Sequence, residues 1–406
     1  MANRSPRRGA DHTTMREVNR SLVLDLIRAG GTVSRASIAR STSLAKPTVS
    51  AIVDELLAED LIKEIGVGST AGGRPPILLQ FNARSQLVVG AHIGARKTTI
   101  AIADATGSEL TRRELPTPSG QPDETLATVA TMIVAATTDE GVGLATISAV
   151  GVVVPGLTDF HTGICTLAPN LGWRDVAVGG PLSARLGAPV YVHNAGQAAA
   201  VAENVEGIGC GIDDLALLYA GTGLSAGVIA GGRVLHGAGG TAGEIGHCAV
   251  PGLADRCACG RVGCLETVAS GRALVAAVHR AVAGGRETIL AGRRDFDGRE
   301  VASAADQGDP VAREAVAELG RYLGYAASWV INAYSPAMVV IGGGLAAIGE
   351  PLLATVRRVA LEHCPEPSAR GVEICASQLG VDVELRGAVL LAMQHSETYY
   401  RVVFRA

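Results

Sequence analysis

The segment GEIGHCAVPGLADRCACGRVGCLE, from Gly243 to Glu266, holds three of the chain's eight cysteines within eight residues. Cys257, Cys259 and Cys264 stand at spacings of two and five, and His247 lies ten residues before the first of them. Thiolate and imidazole are the donors that close a tetrahedral zinc site, here Cys3His with no open position. Such a site is structural, and it would pin a Gly-rich loop that has no large apolar side chains to bury. A Cys-x-Cys-Gly redox pair is the alternative reading of the same thiols. Glu244 and Glu266 bracket the group, so a bound metal would fix the two carboxylates relative to each other. Each carboxylate can accept two hydrogen bonds in a defined plane, which suits adjacent hydroxyls.

A chain of 406 residues predicts two or three domains. Its 48% hydrophobic content, 52 glycines and 3% aromatics predict α/β layers with tight backbone approaches, and they exclude disorder. The net charge of −4 hides an asymmetry: residues 1–53 carry nine basic and three acidic side chains. A basic head on an acidic body points to an anionic partner for the head. The basic N-terminus lacks the apolar stretch of a signal peptide. The apolar run Ala326–Leu345 is interrupted by Asn332, Pro336 and three glycines, unlike a membrane span. A soluble, cytoplasmic protein with no membrane partner is therefore expected, with reduced cysteines, where a tight cluster favours metal.

Residues 1–80 read as a winged helix-turn-helix. Leu22, Leu26 and Ile27 fall at helical spacing before a Gly-Gly stop, and Ser34 is a candidate N-cap for a second helix that buries Ile38. A third helix starts near Pro47, with Val49, Ile52, Val53, Leu56 and Leu57 as its apolar stripe. Its start offers Lys46, Thr48 and Ser50 to base edges and phosphates, with Arg35 placed for the backbone. Two strands around a Gly-rich tip form the wing, where Arg74 would lie along a minor groove. A protein-binding or dimerisation module is the alternative for this region.

From Leu87 onward, β-rich apolar runs end in glycine or polar turns and alternate with helical patterns, an α/β signature. The strand–glycine turn–strand openings near residues 88 and 216 suggest two similar lobes, 87–200 and 201–406, facing a cleft. Several stretches together carry a resemblance: SRASIARSTSLAKPTVS and GGRP in the head, then PNLGW (169–173), GTGLSAGVI (221–229), GEIGH (243–247), CACGRVGCLE (257–266) and VVIGGG (339–344). The chain resembles the ROK family of repressors and sugar kinases over nearly its whole length. The resemblance implies a two-lobed, actin-like (ribonuclease H-like) sugar-kinase fold, with a C-terminal helix returning to the first lobe, behind a DNA-binding head. It also implies that Glu244, His247 and Glu266 face a sugar, with Asn170 and Asn194 as partners.

The sequence departs from the kinase pattern at two places. Family kinases carry a catalytic Asp after an Asn at a strand end, as Glu-Asn-Asp-Ala, whereas this chain reads His193-Asn194-Ala195-Gly196. That Asp is the general base that takes the proton of the attacking hydroxyl. The first phosphate loop, Asp-Ile-Gly-Gly-Thr-Lys in kinases, is His92-Ile93-Gly94-Ala95-Arg96-Lys97 here. Gly221-Thr222-Gly223 and Gly342-Gly343-Gly344 are kept. His193 could replace the base only by reaching from the opposite face of its strand. These departures predict a regulator with no catalytic residue and no need for ATP. Operator DNA and a sugar or sugar phosphate would be its ligands, in a homodimer or homotetramer. The rivals are an active sugar kinase with a fused head, and a DNA-binding protein whose body only oligomerises or binds a protein.

Overall fold

The computed structural model describes residues 12–69, 75–118, 120–293 and 295–396. The head opens with α1 (His12–Gly30), a short strand β1 (Thr32–Ser34), α2 (Arg35–Thr42) and α3 (Lys46–Ala58). Ser34 starts α2 through a reciprocal box: its hydroxyl accepts from the Ser37 N–H, and the Ser37 hydroxyl accepts from the Ser34 N–H. The helix ends at Ser43 in the left-handed region, φ 59°, and the chain turns into α3 with Pro47 in its first turn. Strands β2 (Ile62–Val67) and β3 (Ile77–Phe81) form the wing, in the sheet order β1-β3-β2.

Val23, Leu24, Ile27, Ile38, Val49, Ile52, Val53 and Leu56 make the core of the head. The first helix differs from expectation. Leu22 is exposed and Leu26 only half-buried, because the helical phase that turns Val23 and Ile27 inward points Leu22 to solvent. Leu57 is likewise half-buried. Truncating Leu56 to alanine should cost ~2–5 kcal/mol, a large part of a small domain's stability.

The body holds two five-stranded sheets. The first contains β4 (Leu87–Ile93), β5 (Lys97–Asp104), β6 (Glu109–Pro116), β7 (Ile147–Val154) and, later, β11 (Val190–Asn194), in the order β11-β7-β4-β5-β6. Helix α4 (Pro122–Asp139) and α5 (Gly179–Leu186) cover its outer face. A three-stranded flap of β8 (Leu157–Asp159), β9 (Ile164–Ala168) and β10 (Trp173–Ala177) stands at its edge.

Helix α6 (Ala195–Glu206) leads to the second sheet: β12 (Leu215–Ala220), β13 (Leu224–Ala230), β14 (Arg233–Val234), β15 (Met338–Gly342) and β16 (Glu373–Ala376), ordered β14-β13-β12-β15-β16. Its outer face carries α7 (Gly271–Ala283), α8 (Gly298–Asp306), α9 (Pro310–Tyr334) and α10 (Glu350–Glu362), with the short α11 (Glu366–Ala369) after them. The last helix, α12 (Val383–His395), crosses back to lie on β4 and β7 beside α6. Together α6 and α12 fill the space between the sheets, with Ala198, Ala199, Val201, Leu391 and Ala392 in one apolar layer. A lobe boundary at residue 200 would cut through α6. The helix is continuous there and packs on β12, β13 and α12.

The residues joining head to body are tied to both. Asn82 N–H donates to Leu61 O at 2.9 Å, and Ala105 N–H, in the β5–β6 turn, donates to Ala83 O at 3.0 Å. Arg28 of α1 reaches across to Ala105 O at 3.0 Å, with its guanidinium 5.7 Å from the Phe81 ring. Among the described residues, no helix is long and apolar enough to cross a membrane.

Candidate functional site

The donor atoms of His247, Cys257, Cys259 and Cys264 all lie within 4.8 Å of one another. The Cys259 and Cys264 sulfurs are 3.7 Å apart, and Cys257 Sγ is 3.7 Å from His247 Nδ1. Metal–thiolate bonds of ~2.3 Å in a tetrahedron put sulfurs ~3.8 Å apart, whereas a disulfide holds them at ~2.05 Å. The spacing therefore fits a metal ion, and the thiols are free of disulfides. Burial pushes the Cys257 thiol up to about 12, so a buried thiolate there calls for a compensating cation. Tight loop pairing builds the cradle: Ala249 bridges Cys264, Arg256 bridges Val262, and Cys257 N–H donates to Arg261 O at 2.7 Å.

The GEIGH stretch lies flat against β13. A side chain at Gly243, φ 96°, would stand 2.0 Å from Ala226 O, and one at Gly246 would stand 2.1 Å from Leu224 O. Only glycine permits this approach, and it sets Glu244 and His247 side by side at the cleft. With Nδ1 toward Cys257, His247 turns Nε2 toward Glu244, 3.9 Å from Oε2. One imidazole thus lies between the thiol cluster and the carboxylate, beyond hydrogen-bond distance of the latter.

Asn194 ends β11 and caps α6: its Oδ1 accepts from the Gln197 N–H at 2.8 Å. That bond commits its Nδ2 to Glu244 Oε1, at 3.1 Å, across the lobes. Burial raises the Glu244 pKa to about 7, against the lowering effect of Asn194. Glu266 Oε2 accepts from Leu224 N–H at 3.1 Å. A side chain at Gly223 would stand 2.4 Å from that oxygen, so this glycine leaves the carboxylate its present position. Asn170, exposed on the turn after β9, completes the predicted set. All five predicted hydroxyl-reading residues line one cavity of about 580 Å³ between the lobes.

The opposite end of this cavity has a different character. His92, Ala95, Arg96 and Lys97 line it, and Lys97 is paired with Glu114 at 2.7 Å. Tyr219 of β12 donates its hydroxyl to Glu384 of α12, placing a carboxylate beside the Gly343-Gly344 turn. Sequence reasoning missed this pair. His193 faces away from the cleft into the α6/α12 layer, fully buried, with neither ring nitrogen hydrogen-bonded. Its ring packs 4.9 Å from Phe160, 5.5 Å from His236 and 6.0 Å from His395. Burial holds its pKa well below the usual imidazole range.

Arg272 was also missed. It occupies the first turn of α7, where a cation opposes the helix dipole. That unfavourable placement was a signal in the sequence that the residue serves something other than its helix.

In the head, Lys46 and Thr48 are exposed and Ser50 is half-buried at the start of α3, which has no side-chain cap and no acidic residue in its first turn. Arg35, at the start of α2, pairs on the surface of the head with Asp54 at 2.8 Å and Glu64 at 3.4 Å. Arg74 lies outside the described residues.

The ROK family model matches residues 88–395. A putative xylose repressor from Caldicellulosiruptor sp. strain Rt8B.4 is 32% identical over 358 residues, covering 86% of this chain and 88% of that protein. Among solved structures, a ROK family transcriptional regulator, a homologue of the E. coli MLC protein, superposes with a TM-score of 0.81 at 28% identity, covering 96% of this chain and 99% of that one. A ROK family glucokinase from Streptomyces griseus, in complex with glucose and AMPPNP, gives a TM-score of 0.65 at 32% identity, over 76% of this chain and 99% of that one. With the family model spanning most of the chain, the chain belongs to the ROK family.

Proposed function

We propose that this protein is a sugar-responsive transcriptional repressor whose body senses and does not phosphorylate. The head binds operator DNA, and a structural zinc held by His247, Cys257, Cys259 and Cys264 frames the sugar pocket. Zinc supplies rigidity there; hydroxyl recognition belongs to Glu244, Glu266, Asn194, Asn170 and the Nε2 edge of His247. The carrying observation is the Asn194–Glu244 bond, with Ala195 beside it where the kinase base would stand. The hydroxyl-reading half is complete, and the proton-accepting half is absent. The names of a putative xylose repressor and of a ROK family transcriptional regulator, the latter matched over 96% of this chain, support the same reading.

The glucokinase likeness and the kept glycine turns favour the kinase alternative. Against it stand Ala195, the buried orientation of His193, and the Tyr219–Glu384 pair, whose carboxylate would repel phosphate.

A thermal-shift screen over D-xylose, D-glucose, N-acetyl-D-glucosamine and their phosphates tests the sensor, because a ligand bound only by the folded state raises the apparent melting temperature. Operator fragments selected from random DNA test the head. A sugar that raises the melting temperature and releases DNA is the expected result. Binding of neither ligand class would refute the proposal.

A further inference from the structure

The geometry points to Arg272 as a positioning residue that clamps the two lobes' hydroxyl-reading groups and fixes the hydrogen-bond polarity of Asn170. This rests on the proposal that the cleft takes a sugar. The guanidinium makes three contacts in three directions. Its Nε donates to Thr222 O at 3.1 Å, one terminal nitrogen to Asn170 Oδ1 at 3.2 Å, and the other to Glu266 Oε1 at 3.3 Å. Thr222 and Glu266 belong to the second lobe, while Asn170 belongs to the flap of the first. One planar fork therefore spans the mouth of the cleft, a geometry that a lysine ammonium cannot match.

The consequence for recognition follows from donor inventory. A guanidinium has no acceptor, so the amide oxygen of Asn170 must face it. The Asn170 nitrogen is then the donor that this cavity-lining residue has left to offer. Glu244 accepts from Asn194 at one oxygen, and Glu266 accepts at both, from Leu224 N–H and from Arg272, so each ionised carboxylate has only its remaining lone pairs to offer a hydroxyl. The pocket thus reads a pattern: hydroxyls that donate to the two carboxylates, and one oxygen that accepts from Asn170. Without Arg272 the Asn170 amide could rotate, and that polarity would be lost.

Two measurements on the full-length protein test this. The first needs no sugar. Amide hydrogen exchange over residues 164–173 should quicken about tenfold in Arg272→Ala, since the flap loses its tie to the second lobe. Asn170→Ala, which breaks the same contact from an exposed turn, should quicken it equally. An arginine serving only α7 and its neighbours would leave exchange in the other lobe unchanged, and that result overturns the clamp.

The second uses calorimetry with whichever sugar of the thermal-shift panel binds the unmodified protein. Arg272→Ala should weaken it tenfold or more, as for a lost charge-assisted network. Asn170→Asp keeps the shape and the Arg272 contact but converts the donor into an acceptor. It should weaken binding as much, without quickening exchange. Unchanged affinity in Asn170→Asp would overturn the polarity assignment. If no sugar binds the unmodified protein, the sensor reading falls, and the exchange comparison still decides the clamp.

Discussion

The two ends of the cleft have opposite histories written in their side chains. At the sugar end, every polar group is oriented by another: Gln197 turns Asn194, Asn194 and His247 flank Glu244, and Leu224 and Arg272 hold Glu266. At the other end, the glycine turns persist, but Tyr219, Glu384 and Lys97 spend their polar atoms on protein partners. The difference teaches that kept glycines are weak testimony to a ligand. Gly223 lies against the Glu266 carboxylate and so has a neighbour to accommodate with or without a phosphate. Orientation of side chains by their neighbours is the stronger sign of a working site.

The most severe way to break this comparison is to remove the frame of the sugar end. The protein should carry about one zinc per chain, and structural zinc sites contribute ~10–16 kcal/mol of apparent binding free energy. Cys259→Ser should lose the metal and with it all sugar response, because Glu244 and Glu266 are placed by the loop that the metal closes. Metal analysis finding no zinc in chelator-free preparations would remove the frame from the argument.

At the other end, ATP turnover with any sugar of the panel should match background. A missing general base alone costs ~10²–10⁴-fold. Ala195→Asp should recover little, since the Tyr219–Glu384 pair and the altered first loop remain. Sugar-dependent ADP release by the unmodified protein would erase the contrast between the two ends.

The histidine layer behind the cleft gives a third, smaller effect. His193, His236 and His395 all have lowered pKa values, first by burial; His236 adds to this at His193 and His395, and His161 at His236, with His395 pushed down to about 4. Phe160 and Tyr191 pack against these rings, and the further titratable group facing them is His161, beside His236. An unfolded histidine takes its proton near pH 6.5. Below that pH the unfolded state binds more protons, so stability is full above about 6.5 and declines toward pH 4. The slope is at most ~1.4 kcal/mol per pH unit for each of the deeply buried His193 and His395. Denaturation midpoints at pH 7.5 and 5.5 measure it, and His395→Phe should flatten the decline. An equal decline in that variant would assign the effect elsewhere.

How far the sequence disclosed all this depends on whether a contact is local. The His/Cys cluster and the GEIGH turn were legible because histidine, carboxylate and close-packed glycine lie within a few residues of one another. The strands around 88, 150, 192, 217 and 340 were legible from their apolar runs. Arg272 was not, since its partner Asn170 is 102 residues away in another lobe. The Tyr219–Glu384 pair joins residues 165 apart for the same reason. The pairing of Arg35 with Asp54 of α3 and Glu64 of β2 was not legible either, since only the fold brings those residues beside it. In α1 the periodicity was right and its phase wrong, which a helix with apolar residues on adjacent positions cannot reveal alone.

The smallest effect expected is also the one that joins the halves. A sugar held by Asn194 of the first lobe and by Glu244 and Glu266 of the second favours whichever lobe spacing lets it touch both. It can shift that equilibrium only by its differential affinity. Movement of the first lobe carries the β5–β6 turn, and Ala105 in that turn is bonded both to the linker and to Arg28 of the head. A two-half-site operator senses the spacing of two heads, so coupling of ~1–3 kcal/mol would change operator affinity by roughly 5–150-fold. Reciprocity requires operator DNA to change sugar affinity by the same factor. Titrating sugar with and without saturating operator measures it twice over. Arg28→Ala should leave each affinity alone nearly intact while shrinking the factor, because it cuts a head–body tie and no ligand contact. A factor unchanged by Arg28→Ala would route the coupling through the linker backbone. No dependence on DNA at all would leave the sugar pocket without a regulatory role.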